Sequence, residues 1–140
     1  MYTSDDRSRA LRYVRLDLIA AVFWALFGAI YEKFSHEVYS YAMIYAFAVP
    51  LIAGALPLVL LLCRKKPLRM PSAGTLVLWH AGLASFTVGL IFRGVLEIYG
   101  TTNSLMTVYP VTGGILTAAA LTVYLTGRRP AQQPAQNPAP

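Results

Sequence analysis

The stretch AGTLVLWHAGLASFTVGLIF, residues Ala73–Phe92, contains no Asp, Glu, Lys or Arg. As an α-helix its 20 residues rise about 30 Å, which is the thickness of the hydrocarbon core of a bilayer. Pro71 and Ser72 precede it, and serine is a favoured N-cap residue. The stretch therefore predicts a membrane-spanning helix that begins just after Ser72.

Apolar segments of similar length occur on both sides of this stretch. Together they predict four helices, at about residues 11–34, 36–63, 72–99 and 104–125. Strands of a membrane β-barrel alternate in polarity over roughly ten residues, whereas these segments are continuously apolar, so a barrel is excluded. The chain is 56% hydrophobic and only 13% charged. We therefore predict an all-α integral membrane protein with four transmembrane helices in a compact bundle.

Basic residues predict the orientation of these helices. They cluster before the first helix, between the second and third, and after the fourth: Arg7, Arg9, Arg12, Arg15, Arg64, Lys65, Lys66, Arg69, Arg128 and Arg129. By the positive-inside rule, both termini are then cytoplasmic in a cytoplasmic or plasma membrane. The connections between helices one and two and between helices three and four would face the outside.

The chain divides into two predicted regions. Residues 1–127 form the transmembrane domain, and residues 128–140 form a cytoplasmic tail rich in Pro, Gln and Ala. The tail has almost no apolar side chain to bury, so we expect it to be disordered.

Composition also limits the functions that the chain can have. The net charge of +6 does not indicate nucleic-acid binding, because the basic residues lie in short clusters between apolar segments. Cys63 is the only cysteine of the sequence, which excludes an intramolecular disulfide and a thiolate zinc site. No nucleophile elbow and no HExxH pattern occurs. We expect a protein that is not an enzyme and that needs no cofactor.

Asp17 and His80 form a predicted inner polar pair. His80 lies about 12 Å past the cytoplasmic end of its helix, and only 14 uncharged residues separate Asp17 from Glu32, about 21 Å of helix. Asp17 has no basic residue three or four positions away, so its partner is expected on another helix. We predict an Asp17–His80 hydrogen bond or water bridge. In the alternative, His80 bonds a neighbouring hydroxyl or carbonyl group, and Asp17 reaches toward the cytoplasmic lysines.

A second group of polar side chains is predicted at the outer ends of the helices. Its members are the ligand-binding candidates Glu32, His36, Glu37, Tyr45, Arg93 and Glu97. Arg93 is expected at the interface, with Glu97 one helical turn further on to pair with it. Tyr45 is expected about 13 Å inside the second helix, where its hydroxyl would need a buried partner.

A metal site at this group would use Glu32 and His36, which are four residues apart and would share one face of a continuous helix. Ser35 argues against this arrangement. As an N-cap with Glu37 in the first turn behind it, Ser35 would begin the second helix and would separate Glu32 from His36. We therefore expect no metal site.

Small residues predict close helix contacts. Gly82, Ser85 and Gly89 make one side of the third helix smooth, and Gly113 and Gly114 do the same for the fourth. In lipid, such faces allow helix backbones to approach one another, so we expect these faces to meet other helices.

The second helix contains residues that disfavour a regular α-helix. Pro50, Gly54 and Pro57 predict a kink in the second helix that leaves carbonyl groups free for another partner.

The two outward turns resemble one another in sequence. FGAIYEKFS from Phe27 aligns with FRGVLEIYG from Phe92, which predicts a parallel repeat of two helical hairpins. In such a repeat, Glu32 and Glu97 would be equivalent positions around a central axis.

Two functions of different classes remain. In the first, the chain is a small transporter or transporter subunit with an outward-facing polar site for an ion or a small polar solute. In the second, it is a noncatalytic accessory or assembly protein that binds a partner through its small-residue helix faces. Four helices enclose little room, so a transport pathway would need a homodimer or a partner membrane protein in the bilayer.

Overall fold

The computed structural model describes residues 4–35, 38–64 and 70–127. Within these ranges, four helical spans are long and apolar enough to cross a membrane: Ser4–Phe34, Tyr41–Cys63, Ala73–Ile98 and Ser104–Thr126. The prediction of an all-helical fold with four such spans is confirmed. The predicted tail at residues 128–140 and the basic loop at 65–69 lie outside the described residues.

The first span is a single helix, α1 (Ser4–Phe34), which begins before the apolar segment that predicted it. Asp5 and Asp6 lie in its first turn and Lys33 in its last turn, where their charges suit the helix dipole. Arg9 and Asp6 are 3.8 Å apart on the same helix. Favourable charges therefore extend α1 beyond the apolar part of the sequence.

The second span begins at Tyr41, so the predicted start near His36 is wrong. Residues 38–40 are not helical, and Ser40 is the N-cap. The Ser35 hydroxyl lies 2.7 Å from the Glu32 carbonyl oxygen and 2.6 Å from that of Val38. Ser35 therefore closes the turn after α1 instead of capping the next helix.

The second span changes its helical form twice. A short helix, α2 (Tyr41–Ile44), is followed by a π-helical segment, Val49–Ala55, and then by α3 (Leu56–Cys63). Pro50 and Gly54, two of the three residues that predicted a kink, lie in the π-helical segment, and Pro57 lies in the first turn of α3. Pro57 has no N–H to offer the carbonyl group of Ala53 four residues earlier. The Trp79 indole Nε1 donates to that carbonyl oxygen instead, at 2.9 Å.

Replacing Trp79 by Phe should leave the Ala53 carbonyl group without this donor. We expect the free energy of unfolding to fall by about 1–3 kcal/mol, since a partly buried carbonyl oxygen loses its hydrogen-bond donor. Unfolding in detergent micelles, followed by far-UV circular dichroism, measures the loss. Trp24→Phe is the matched control, because it removes the same ring volume from a half-buried site. Equal losses in the two variants would contradict the role of the hydrogen bond.

The third span is α4 (Ala73–Ile98), and its predicted N-cap is confirmed. The Ser72 hydroxyl accepts a hydrogen bond from the Thr75 N–H at 3.2 Å. After the helix ends, Gly100 has a φ of 66°, a left-handed conformation that glycine adopts without a steric penalty. The fourth span consists of a 3₁₀ turn, Ser104–Thr107, and then α5 (Val108–Thr126).

The spans pack in chain order. α1 packs against the second span, the second span packs against α4, and α4 makes its most extensive contact with α5. Within the described ranges, α5 has no extensive contact with α1 or with the second span. A cleft therefore runs along α4, between the second span and α5.

Small residues hold α4 and α5 together. A Cβ atom at Gly82 would lie 2.6 Å from Thr117 Cγ2, and one at Gly89 would lie 2.7 Å from Tyr109 Cβ. The Ser85 hydroxyl donates to the Tyr109 carbonyl oxygen at 2.9 Å. Helix contact is therefore confirmed for Gly82, Ser85 and Gly89.

The two glycines of α5 differ from one another. A Cβ atom at Gly113 would lie 3.0 Å from the Phe86 ring, so Gly113 also makes the predicted helix contact. A Cβ atom at Gly114 would meet nothing within 4 Å. The prediction that Gly114 packs against another helix is therefore wrong for contacts within the described part of this chain, because its side of α5 points away from α4.

Candidate functional site

Ser40 brings together two carboxylates that are distant in the sequence. Its backbone N–H donates to Glu32 Oε1 at 3.3 Å, and its hydroxyl donates to Glu97 Oε2 at 2.6 Å. The same hydroxyl oxygen accepts from the Met43 N–H at 3.5 Å, as an N-cap does. Ser40 is 1% exposed. It therefore links α1, α2 and α4 in a buried position.

Arg93 completes what we call the Ser40 cluster, which consists of Glu32, Ser40, Arg93 and Glu97. Arg93 Nε donates to Glu97 Oε1 at 2.8 Å, so the predicted pairing is confirmed. The Arg93 side chain is 69% exposed and that of Glu97 is 40% exposed. Glu97 thus contacts the buried serine with one oxygen and the exposed guanidinium with the other. With all three side chains ionised, two carboxylates and one guanidinium give the cluster a formal charge of −1.

Met43 positions the cluster, and the sequence did not indicate this role. Met43 is fully buried and lies between two glycines on different helices. A Cβ atom at Gly94 of α4 would lie 2.7 Å from Met43 Cβ, and one at Gly28 of α1 would lie 3.3 Å from the Met43 carbonyl oxygen. Because the two helices approach α2 this closely, Glu32 and Glu97 both reach Ser40.

The structure brings together Glu32, Arg93 and Glu97 but not Tyr45. Tyr45 is 59% exposed, and its ring stacks on that of Tyr41 with 6.5 Å between the centroids. The prediction of a buried partner for Tyr45 is wrong, because the span begins at Tyr41 and Tyr45 lies only one turn inside it.

The remaining candidates of this group are His36 and Glu37, which lie outside the described residues. Among the residues that the structure describes, no three His, Cys, Asp or Glu side chains are grouped closely enough to hold a metal ion.

The cleft along α4 reaches the Ser40 cluster. It has a volume of about 940 Å³. Most of its walls are apolar, with Val49 and Ile52 from the second span and Leu83 and Leu90 from α4. One end is polar and is formed by Arg93, Glu97, Thr101, Thr102 and Asn103. Arg93 and Glu97 therefore belong both to the cluster and to the wall of the cleft.

The predicted bond between Asp17 and His80 is present. His80 Nε2 lies 3.0 Å from Asp17 Oδ2, and His80 Nδ1 lies 2.8 Å from the Leu76 carbonyl oxygen. Asp17 is 5% exposed. The Tyr13 ring covers the imidazole, with 4.4 Å between the ring centroids. His80 thus contacts both the carboxylate and the carbonyl group that were predicted as alternatives.

Gly54 provides the space for the Asp17 carboxylate. A Cβ atom at Gly54 would lie 2.7 Å from Asp17 Cγ and Oδ2 and 2.8 Å from Oδ1. The Asp17 carboxylate therefore packs directly against the backbone of the π-helical segment at Gly54. The sequence placed Gly54 only in the predicted kink, together with Pro50 and Pro57, and did not indicate that a carboxylate packs against it.

No sequence-family model, curated protein or solved structure gives a significant match to this chain.

Proposed function

We propose that this chain is a small, non-enzymatic, multi-pass transport protein of the cell membrane, acting as a transporter or as a transporter subunit. Its site is the Ser40 cluster, and the class of solute that suits this site best is a small monovalent cation. The observation that carries the proposal is that Arg93 and Glu97 belong both to the cluster and to the wall of the cleft. In this proposal both termini are cytoplasmic and the cluster faces outward.

The charge of the cluster supports a cation. Its formal charge is −1 because Arg93 offsets only one of the two carboxylates, and Ser40 holds one oxygen of each carboxylate in place. A fixed carboxylate at the mouth of a low-dielectric cleft attracts cations more strongly than a freely hydrated one. Apart from its polar end, the cleft has apolar walls and is open on one side. A closed pathway therefore needs a second copy of the chain or a partner subunit.

Glu97→Gln should test this function directly. The amide can still accept from Ser40, but the negative charge is lost. The measurement is the uptake of radioactive rubidium, sodium or methylammonium ions into proteoliposomes, with each cation tested in turn. For the cation that the wild type transports, we expect the Glu97→Gln variant to have an uptake rate at least about tenfold lower. A tenfold loss corresponds to about 1.4 kcal/mol of binding or barrier.

Asp5→Asn is the matched control for this experiment, because Asp5 is an exposed carboxylate in the first turn of α1, away from the cluster. Uptake by this variant should equal that of the wild type. The proposal fails if none of the three cations enters faster than in empty liposomes, or if the two variants lose rate equally. Far-UV circular dichroism of each variant verifies that its helices are intact.

A noncatalytic accessory role is the second candidate, and the exposure of α5 favours it. Of the four spans, Ser104–Thr126 has the smallest buried share in the described structure, and Gly114 has open space beside it. Gly82, Gly89 and Gly113 already serve contacts within the chain, so a partner helix would use the Gly114 side of α5. Under this alternative, Gly114→Leu would prevent co-purification of the partner, and Glu97→Gln would have no effect on it.

A further inference from the structure

We propose that Asp17 and His80 form a proton-binding site, and that the hydrogen bond it makes between α1 and α4 exists only while a proton is bound. This site is separate from the Ser40 cluster and goes beyond the proposed cation function. Its ligand is one proton, shared between a carboxylate and an imidazole.

The hydrogen bonds of His80 carry this inference. A carbonyl oxygen can only accept, so the 2.8 Å contact with Leu76 requires the proton of the imidazole to be on Nδ1. In a neutral imidazole, Nε2 is then an acceptor. An ionised carboxylate is also only an acceptor. The 3.0 Å contact between His80 Nε2 and Asp17 Oδ2 is therefore a hydrogen bond only if one additional proton lies between them.

The proton balance of the site follows directly. With the proton bound, the pair is either imidazolium with carboxylate or neutral imidazole with carboxylic acid, and both forms have a net charge of zero. When the proton leaves, a neutral imidazole and a carboxylate remain, and two acceptors face one another. Since Asp17 is 5% exposed in an apolar span, the unpaired charge is costly there, and the contact must open or admit water.

Among the described residues, α1 contributes the titratable side chains that contact the imidazole. From α1, the titratable groups that face the imidazole are Asp17 and Tyr13. The second span contributes Gly54, and its sequence between Tyr45 and Cys63 has no titratable side chain. On α4, the next charged residue after His80 is Arg93, about 20 Å further along the helix. The proton is therefore shared within a pair whose other close neighbours include the uncharged Gly54 and the Leu76 carbonyl group.

The proton also has a structural consequence. α1 and α4 have no extensive contact of their own within the described residues, because the second span lies between them. The Asp17 carboxylate reaches His80 past Gly54, where no Cβ atom blocks it. The protonated pair thus makes a polar link between α1 and α4 across the π-helical segment. Loss of the proton removes this link, whereas Val14 of α1 and Leu76 of α4 still share an apolar cluster at this level.

Nitrogen NMR of ¹⁵N-histidine-labelled protein in lipid nanodiscs tests the proposal without any transport assay. The chain has two histidines, so a His80→Gln sample assigns the His80 signals. In the wild type we expect the Nε2 signal to change in one step between pH 4 and 10, while the Nδ1 signal keeps the position of a protonated nitrogen. In Asp17→Asn the step should move by at least one pH unit, which is a tenfold change in proton affinity.

Gly54→Ala is the sharper variant, because it retains both titratable groups and displaces only the carboxylate. In this variant, the pH at which the Nε2 signal changes should also move by at least one unit. In Asp5→Asn, this pH should equal that of the wild type. A wild-type spectrum without a step overturns the proposal, as does an unchanged step in Gly54→Ala or Asp17→Asn. If Asp17→Asn fails to fold, the wild type and Gly54→Ala decide the outcome. A normal step together with no cation uptake would reject the proposed transport function and leave the proton site standing.

Discussion

Gly82→Leu is expected to separate α5 from α4 and to be among the most destabilising single substitutions in the chain. Even a Cβ atom at this position would lie 2.6 Å from Thr117 Cγ2 and 3.0 Å from the Gly113 carbonyl oxygen. The second of these atoms belongs to the backbone, so α5 must move as a whole. Overpacking typically costs about 1–3 kcal/mol, and we expect the upper end or more, since α5 packs almost entirely on α4.

Two measurements check this prediction. Thermal unfolding in detergent, followed by circular dichroism, reports the loss of stability, and hydrogen exchange with mass spectrometry reports whether residues 108–126 lose protection. Gly114→Leu is the matched control, because it adds the same side chain to the open side of α5. If α5 keeps its protection in Gly82→Leu, or if both variants lose protection equally, the described α4–α5 interface is wrong.

Gly94→Val is expected to push the second span away from α4 and to break the Ser40 cluster. A Cβ atom at Gly94 would lie 2.7 Å from Met43 Cβ and 3.1 Å from Ser40 Oγ. Met43 cannot retreat, because Gly28 of α1 lies against its carbonyl group on the other side. We expect a loss of about 2–4 kcal/mol from overpacking and from the broken hydrogen bond between Ser40 and Glu97.

The separation itself is measurable by electron paramagnetic resonance. Spin labels at the exposed residues Tyr39 and Thr101, in a Cys63→Ser background, should be further apart and more broadly distributed in Gly94→Val than without it. Gly74→Val is the matched control, since a Cβ atom at Gly74 would meet only the Ser72 hydroxyl, at 4.0 Å. An unchanged distance in Gly94→Val would mean that Met43 is not held between the two glycines.

The sequence predicted the spans because a bilayer imposes a simple rule on length and polarity. Ser72 was predicted correctly as an N-cap, since it follows a proline and precedes 20 uncharged residues. The start of the second span was predicted incorrectly, because Ser35 and Ser40 are both good capping residues. Only the tertiary structure distinguishes them: at Ser40, carboxylates from α1 and α4 both meet the helix start.

The Asp17–His80 bond was predictable for a related reason. The depth of a side chain in a membrane helix follows from the number of residues between it and the helix end. A carboxylate deep in the membrane requires a partner on another helix. Gly54 and Gly94 were not recognised as contact sites, because glycine in a sequence does not show which side chain approaches it. Their contacts depend on how the helices cross, and single-helix periodicity does not contain that information.

The Ser40–Glu97 and Asp17–His80 bonds have a consequence for how the protein is made. Their partners are 57 and 63 residues apart, and in both bonds one partner lies on the third span. Because synthesis proceeds from the N-terminus, the first two spans are made before either bond can form. During that interval Asp17 has neither His80 nor the third span beside it. The third span thus supplies the missing partner of both bonds, so the first hairpin has neither bond until the third span is made.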